Sequence, residues 1–361
     1  MTAAPEPVAD EVLDDLRSRL QATHRVGLPR GLGWDRGTDP DYLTSLVDYW
    51  AEEYDWREHE ERIRALPWAV TEADGFAARM IHEQSDQDAA PAVVLLHGWP
   101  DSVLRFERVL PLLGDLNVVV PCLPGFPFSE PVLEAGMSVT AMAEVVAGLM
   151  SELGYERYVV SGGDVGSSIA ESLGAAHAEQ VGALHFTDVP FRRVGRLDPT
   201  LLSPDERDYL TAAQRWQRSE GGYMHEQATK PHTLSVGLGD SPAGLAAWIV
   251  EKLRSWSDCG GDVESVFSRE ALLTWITAYW VTGTIGTSFL PYVERPEIVE
   301  RVEAPSVFTL FPHDLVRPPR ALGKRLFNVR AWDEQPDGGH FGAWERPEAF
   351  VAGLRRAVSL L

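Results

Sequence analysis

Short, uninterrupted apolar runs recur along the chain from Ala92 onward, and they limit what the chain can fold into more than any other feature. A run of this kind is typical of a strand covered on both faces, as in a parallel sheet. Helical segments separate the earlier runs, and repeated strand–helix alternation predicts a doubly wound α/β fold. The runs are AVVLLHG, LNVVVPCLPG, RYVVSGG, ALHFTDV, SVFTLF and LFNVRAW, and the intervening helical segments are SVLRFERVLPLLG and TAMAEVVAGLMSELG.

The alternation stops between Pro190 and about Ala304, where the sequence is mostly helical. A helical block inserted between two strands of a parallel sheet is expected to lie over the carboxyl ends of the strands as a lid. The helical segments of this block are PDERDYLTAAQRWQRSE, PAGLAAWIVEKLRSW and SREALLTWITAYWVTG. We therefore predict a lid at residues 191–303, between the two parts of an α/β core at residues 87–190 and 304–361.

An N-terminal segment, residues 1–86, precedes the core. Two stretches, VLDDLRSRLQATH and PDYLTSLVDYWAEEYDWREHEERIRAL, have apolar residues near helical spacing and predict two helices. The stretch from Trp68 to Ser85 alternates like a strand, a turn at Asp74-Gly75 and a second strand.

Charge and composition exclude several classes of function. The formal net charge of −22 leaves no basic footprint for nucleic acid and disfavours anionic membrane surfaces. Neither Cys122 nor Cys259 belongs to a CxxC pair, and no cluster with metal-ligand spacing occurs, so we expect two reduced thiols and no metal or organic cofactor. The acidic N-terminus lacks a signal-like apolar run and no long apolar window follows, so we expect a cytoplasmic protein without a membrane anchor.

One carboxylate, Asp164, stands in a glycine-rich turn between an apolar run and a helix-like segment. The pattern Gly162-Gly163-Asp164-Val165-Gly166 matches the nucleophile elbow of α/β-hydrolases, where small residues permit a strained turn. A carboxylate at this position can act as a nucleophile and form an ester. On the turn alone, an N-terminal cap of the following helix is an equally good interpretation.

Further segments favour catalysis. In LLHGWPDS, a strand ends in His-Gly before a loop, where this fold places one N–H of an oxyanion hole. Trp99 would supply that N–H, and Val165, directly after the nucleophile, would supply the other.

A base and an orienting acid follow in the chain order that this fold uses. His340 lies in DGGHFGAWERPEAF, between the last apolar strand and the last helix, and is the favoured base. Asp314 follows the penultimate strand, where an acid that orients the imidazole is expected, and Asp188 after ALHFT is its rival. The remaining histidine candidates are weaker: His97, His185 and His313.

Two tyrosines in the lid, Tyr223 and Tyr292, could serve as proton donors. A phenol can donate a hydrogen bond to an oxygen and protonate it as charge develops. Taken alone, a tyrosine in a lid this rich in tryptophan is more often a packing residue.

The assembled motifs resemble those of the microsomal-type epoxide hydrolases of the α/β-hydrolase superfamily, over nearly the whole chain. The motifs that carry the resemblance are IRALPW, LLHGWPDS, LPGFPFSEP, SGGDVGSS, GYMHEQATKP, DSPAGLAAWIVEKLRSW, YWVTGTIGTSFLPYVE and DGGHFGAWERPE. The resemblance implies that Asp164 is the nucleophile, that Asp314 and His340 are the charge-relay pair, and that Tyr223 and Tyr292 bind the epoxide oxygen. It also implies that the N-terminal segment wraps the core and braces the lid.

The sequence departs from the family pattern at three positions. Val165 stands where the family commonly has Trp, Pro127 where Gly is usual, and Asp314 where many members have Glu. These departures bear on substrate preference and not on the class of reaction. We expect four residues to line the substrate pocket: Trp99, Val165, Phe191 and Phe341.

The expected reaction is the hydrolysis of an apolar epoxide to a vicinal diol through an Asp164 ester. One rival is a haloalkane or haloacid dehalogenase, which would need N–H donors for a halide, often an indole where Val165 stands. A serine esterase is rejected because the elbow has no serine. The rival from another class is a non-catalytic binding protein with this fold, although all five expected catalytic residues are present. The sequence is also compatible with a homodimer formed through the N-terminal segment or the lid.

Overall fold

The computed structural model describes residues 3–29, 31–73, 75–190, 193, 198–294 and 299–361. Within these ranges the chain forms an eight-stranded sheet in the order β1-β2-β4-β3-β5-β6-β7-β8. The pairs β1/β2 and β2/β4 are antiparallel and all the other pairs are parallel. The strands are β1 (Trp68–Ala73), β2 (Phe76–Glu83), β3 (Ala92–Leu96), β4 (Asn117–Pro121), β5 (Tyr158–Gly162), β6 (Val181–Phe186), β7 (Val302–Leu310) and β8 (Phe327–Glu334).

Helices flank this sheet, and a mostly helical block lies between β6 and β7, in the range predicted to be the lid; the name lid is kept for this block below. The first helices are α1 (Asp10–Gln21), α2 (Pro40–Glu52), α3 (Trp56–Arg64), α4 (Val139–Glu152), α5 (Val165–Ala176), α6 (Pro204–Ser219) and α7 (Gly222–Thr229). The others are α8 (Pro231–Asp240), α9 (Pro242–Trp256), α10 (Arg269–Thr282), α11 (Leu290–Val293), α12 (Arg320–Leu326), α13 (Gly342–Glu345) and α14 (Pro347–Val358). The mostly parallel α/β architecture predicted from the apolar runs is confirmed.

The central strands are apolar along their whole length because both of their faces are covered. All five residues of β3, of sequence AVVLL, are buried, and so are all five of β5, of sequence YVVSG. A strand with one face in water would instead alternate apolar and polar residues. The carboxyl ends of β3 and β5 lie side by side, and this brings the loop after each strand to the same edge of the sheet.

Two helix predictions were wrong in detail. The second N-terminal helix is divided into α2 and α3, because the carboxylate of Asp55 accepts the N–H of Arg57 and caps a new helix. The segment 102–114 forms only two short 3₁₀ turns, Val103–Phe106 and Leu110–Leu112. Pro111 explains the second case, because proline inside a helix lacks the N–H and clashes with the preceding turn.

The N-terminal segment is tied to the lid by contacts between residues far apart in the chain. Thr38 Oγ1 donates to the carbonyl of Ala247 in α9 at 2.6 Å. Tyr49 Oη donates to Glu270 of α10 at 2.5 Å. Arg19 Nη1 lies 2.8 Å from Asp240 Oδ1, at the end of α8. The lid therefore rests on the N-terminal segment as well as on the core.

Within the described ranges, no helix combines the length and the apolar character needed to cross a lipid bilayer. The same ranges hold no group of three or more His, Cys, Asp or Glu side chains arranged to bind a metal ion. Cys122 and Cys259 are both buried, and neither forms a disulfide.

Candidate active site

Asp164 lies on a strained turn between β5 and α5. Its backbone has φ 58° and ψ −122°, a conformation that a residue with a side chain rarely adopts. The turn is tight: a Cβ on Gly162 would lie 2.2 Å from the carbonyl oxygen of Gly166, and one on Gly166 would lie 2.3 Å from that of Leu96. The small residues of the motif are therefore required by the backbone, and strain of this kind is typical of functional sites.

Two backbone N–H groups point at the Asp164 carboxylate. The N–H of Trp99 donates to Asp164 Oδ1 at 2.9 Å, and the N–H of Val165 also hydrogen-bonds to this side chain. Gly98 permits the close approach, since a Cβ there would lie 2.5 Å from Asp164 Cβ. The N–H of Gly98 donates to Asp101 Oδ1 at 2.7 Å, which fixes the loop. The two donors predicted for an oxyanion hole thus lie together.

His340 joins Asp314 to Asp164. Its Nδ1 lies 2.7 Å from Asp314 Oδ1, and its Nε2 lies 3.6 Å from Asp164 Oδ2. Nε2 is buried and has no hydrogen-bond partner among the described residues. Of the two acids weighed from the sequence, Asp314 is therefore the one in contact with the imidazole.

The charged groups of this buried site shift one another's pKa values. Burial raises the pKa of Asp164, while His340 and the N–H groups of Trp99 and Val165 oppose that shift. Burial would lower the pKa of His340, but the carboxylates of Asp314 and Asp164 outweigh it and raise the pKa to about 9. The two carboxylates therefore favour the protonated form of His340 over the neutral one.

Asp188 lies next to the turn that carries Asp164. Its Oδ2 accepts the backbone N–H of Asp164 at 2.8 Å. Burial, together with the charge of Asp314, raises the pKa of Asp188 to about 7. Asp188 therefore supports the nucleophile through its backbone.

The two lid tyrosines lie beside Trp99. The ring of Tyr223, on α7, stacks on the indole of Trp99 with centroids 5.4 Å apart and planes at 10°. The ring of Tyr292, on α11, is perpendicular to the same indole at 6.2 Å. The two phenols are hydrogen-bonded to each other, and burial and the Asp164 carboxylate raise the pKa of Tyr223 well above its usual value. The lid thus brings both phenols next to the Trp99 loop, whose backbone N–H donates to the Asp164 carboxylate.

Three of the four expected pocket residues are described. Trp99 and Phe341 have no exposed surface, and Val165 is 6% exposed. Phe341 packs perpendicular to the ring of His340, at 5.2 Å between centroids, so it supports that ring. Phe191 lies outside the described residues.

A buried ion pair that was not predicted from the sequence connects two loops of the site. Arg105 Nη1 lies 2.5 Å from Asp101 Oδ2, and its Nη2 donates to the carbonyl of His340 at 2.5 Å. Both side chains are buried. The signal was present: WPDSVLRF places two opposite charges four residues apart in an apolar stretch.

Glu345 is a second missed residue. Its carboxylate accepts three backbone N–H groups, from Asp258, Gly339 and Phe341, at 2.8, 2.9 and 3.0 Å. Gly339 and Phe341 flank His340, so this buried carboxylate fixes the loop that carries the base.

The weaker histidine candidates lie elsewhere. His97 Nε2 accepts the N–H of Leu123 at 3.2 Å, and burial lowers the pKa of His97 to about 4. His185 lies between the hydroxyls of Ser161 and Thr309, at 2.8 and 3.0 Å. His313 is largely exposed, 3.4 Å from Asp258.

Comparisons with known proteins show the family to which this chain belongs. Residues 4–106 match the family model for the epoxide hydrolase N terminus, and residues 91–236 match that for the alpha/beta hydrolase fold. Epoxide hydrolase 1 of Sus scrofa is 31% identical over 98% of this chain and 87% of its own length.

Two solved structures are also similar to this chain. The epoxide hydrolase of Aspergillus niger is 28% identical, with a TM-score of 0.86 over 99% of this chain and 96% of that one. The juvenile hormone epoxide hydrolase of the silkworm Bombyx mori is 28% identical, with a TM-score of 0.87 over 98% and 93%.

Proposed function

This chain belongs to the epoxide hydrolase family, and we propose that it converts an epoxide to a vicinal diol through a covalent ester on Asp164. One observation carries the proposal. The Asp164 carboxylate accepts backbone N–H groups and has the Nε2 of His340 3.6 Å from its Oδ2. A nucleophile, a stabiliser of negative charge and a base are therefore next to one another, as covalent catalysis requires.

In the first step, a carboxylate oxygen of Asp164 attacks one carbon of the epoxide. Oδ1 is held by the N–H of Trp99, so we assign the attack to Oδ2. The C–O bond of the ring breaks as the ester bond forms, and the epoxide oxygen takes a proton. We assign that proton to Tyr223 or Tyr292, because the two phenols are hydrogen-bonded to each other beside Trp99.

In the second step, water attacks the carbonyl carbon of the ester. His340, held by Asp314 at 2.7 Å, removes a proton from this water. The resting imidazole is protonated, since its pKa is raised to about 9 by Asp314 and Asp164, which together outweigh burial. Formation of the ester removes the charge of Asp164 and with it one cause of this shift. The pKa of His340 therefore falls once the ester exists, so the imidazolium can lose its proton to solvent and the neutral ring can accept one from the attacking water; His340 is protonated again when the carboxylate is restored.

The N–H groups of Trp99 and Val165 stabilise the oxyanion that forms on the ester. These donors already contact the Asp164 carboxylate in the resting site, so no reorganisation is needed when the charge develops. When the oxyanion collapses, the bond between the Asp164 carbonyl carbon and the substrate oxygen breaks, that oxygen takes the proton that His340 removed from water, and the diol is released. The carboxyl group of Asp164 then loses its proton, which restores the carboxylate.

We propose that the epoxide carries an apolar substituent. The site is enclosed by aromatic rings: Trp256 packs against Trp99 and Tyr223, and Phe289 packs against Trp99. Such walls favour apolar groups over charged ones.

The test is a single turnover of styrene oxide in H₂¹⁸O, followed by mass spectrometry of the diol and of the peptide that contains Asp164. The ester route predicts ¹⁸O in the Asp164 carboxylate and an unlabelled diol after the first turnover, because the diol oxygen comes from Asp164. The variant H340Q should accumulate the ester. A labelled diol with no label in Asp164 would mean direct attack by water and would refute the ester. Release of halide from a haloalkane, without diol from any epoxide, would favour the dehalogenase.

A further inference from the structure

Lys252 is an unusual residue in this chain. The sequence contains only three lysines, Lys230, Lys252 and Lys324, beside 29 arginines. Lys230 and Lys324 are exposed, whereas Lys252 is 7% exposed. Lysine is rarely buried unless its charge interacts with something, because an ammonium is strongly hydrated in water. The ammonium of Lys252 is therefore expected to interact with a neighbouring group.

The ammonium of Lys252 lies over the ring of a predicted proton donor. Its Nζ is 5.0 Å from the centroid of the Tyr223 ring and 5.9 Å from that of Trp256. Both distances are within the range of a cation–π interaction. Lys252 and Trp256 are four residues apart on α9 and so lie on one face of the helix. This face of α9 forms part of the wall around the phenol.

Glu251 is the carboxylate partner of Lys252. The two side chains form an ion pair between adjacent residues, with 19% of the Glu251 side chain exposed. The negative charges of Asp164 and Glu251 both disfavour ionisation of Tyr223, in addition to burial, which is the largest cause of its raised pKa. By Coulomb's law, a cation 5.0 Å from the ring centroid would favour the ionised phenol.

We infer that Lys252 is a positioning residue that acts through Tyr223, its ammonium stabilising the negative charge that the phenol takes on as it protonates the opening epoxide. This inference rests on the proposed function. When the Tyr223 hydroxyl gives its proton to the epoxide oxygen, the ring C–O bond breaks and the Asp164 ester bond forms. The negative charge left on the phenolate is then attracted to the ammonium, whose Nζ lies 5.0 Å from the centroid of the ring. The proton released when water hydrolyses the ester returns to the phenolate, so the cycle closes without another reactant.

The inference predicts an effect on one step only. Ester formation requires charge on Tyr223, whereas ester hydrolysis depends on His340. Loss of the cation in K252M should slow ester formation by about tenfold and leave ester hydrolysis unchanged, because the attraction between the ammonium and the charge that develops on the phenol, which the ground state lacks, corresponds to a factor of roughly ten. K252R keeps the charge and should recover most of the rate. E251Q removes the opposing charge and should make ester formation faster.

The experiment measures both steps in single turnovers of styrene oxide, by rapid quenching and mass spectrometry of the Asp164 peptide, for wild type, K252M, K252R and E251Q. K324M, which removes an exposed lysine, is the matched control and should behave as wild type. Slow ester formation in K252M together with fast ester formation in E251Q supports the inference, since a loss of packing would slow both.

An unchanged rate of ester formation in K252M, or an equal fall of both steps that K252R does not recover, would overturn the inference. If K252M does not fold, E251Q decides: faster ester formation supports the inference, and an unchanged or slower rate overturns it. Absence of an Asp164 ester in wild type would be a failure of the proposed function, and it would be seen before any variant is compared.

Discussion

The carboxylate of Asp188 accepts the backbone N–H of Asp164, with 2.8 Å between Oδ2 and the nitrogen. Asp164 needs such a partner because its backbone, at φ 58°, is in a sparsely populated conformation. Asp188, the alternative to Asp314 as the acid that orients His340, thus binds the backbone of the nucleophile instead.

Replacement of Asp188 should test this support. D188A removes the acceptor and leaves the N–H of Asp164 buried and unpaired, so we expect a loss of about 1–3 kcal/mol in the free energy of unfolding. D188N keeps an acceptor oxygen and should lose less. Urea denaturation of the two variants measures the difference. Equal stabilities of D188A and wild type would show that the hydrogen bond contributes nothing.

Asp188 should also make stability depend on pH. Burial, aided by the charge of Asp314, raises its pKa to about 7 in the folded protein, above the usual carboxyl value. The folded state therefore binds more protons than the unfolded state between about pH 4 and pH 7. The contribution of Asp188 to the free energy of unfolding is fully present below about pH 4 and is lost as pH rises through 7. The stability of wild type relative to D188N should fall across this window. A constant difference between the two unfolding curves would contradict the assignment.

The lid tyrosines should affect ester formation and not ester hydrolysis. Y223F and Y292F each remove one hydroxyl, and we expect ester formation to slow by about 100-fold in each, as is typical for the loss of a general acid. Y158F is the control, because the hydroxyl of Tyr158 is buried and has no partner among the described residues. Single-turnover accumulation of the Asp164 ester gives the rates. A fall in Y158F as large as in Y223F would point to general damage.

Asp314 should set the pH dependence of ester hydrolysis. Burial opposes protonation of His340, but Asp314 is the largest cause that raises its pKa. Removal of this charge in D314N should move the acidic limb of the hydrolysis rate to lower pH, while the maximum rate falls because the imidazole is no longer oriented. D333N, which removes a partly exposed carboxylate that pairs with Arg356, should not move the limb. A limb that moves to higher pH would exclude Asp314 as the partner.

The pair Asp101 and Arg105 should show strong coupling. Either R105M or D101N alone leaves a buried charge uncompensated, which typically costs about 3–5 kcal/mol. The double variant removes both charges and should recover part of that loss. A double-mutant cycle measured by urea denaturation gives the coupling energy. Additive losses would mean that the two side chains act independently.

The sequence revealed those parts of the site that depend on order along the chain. The continuous apolar runs indicated the strands because the central strands are covered on both faces. The positions of Asp164, Asp314 and His340 followed from the order in which this fold uses its strands, and the structure brings the three side chains together.

The contacts that the sequence analysis missed depend on tertiary structure. Glu345 accepts hydrogen bonds from three backbone N–H groups. Every residue except proline has such a group, so the sequence does not indicate which of them bind a carboxylate. Asp188 is of the same kind, since its partner is the N–H of Asp164. The role of Lys252 required the lid to be folded over Tyr223, because only then do the cation and the ring meet.

The contacts between the N-terminal segment and the lid have a consequence for how the chain folds. Arg19 and Asp240 are separated by 221 positions, and so are Tyr49 and Glu270. On a ribosome, which extends the chain from its N-terminus, the first helices must wait until most of the protein has been made before their partners exist. Contacts of such long sequence separation slow folding, because a large loop must close before they form. The N-terminal helices, although they are made before the lid, are therefore among the last elements to reach their final packing.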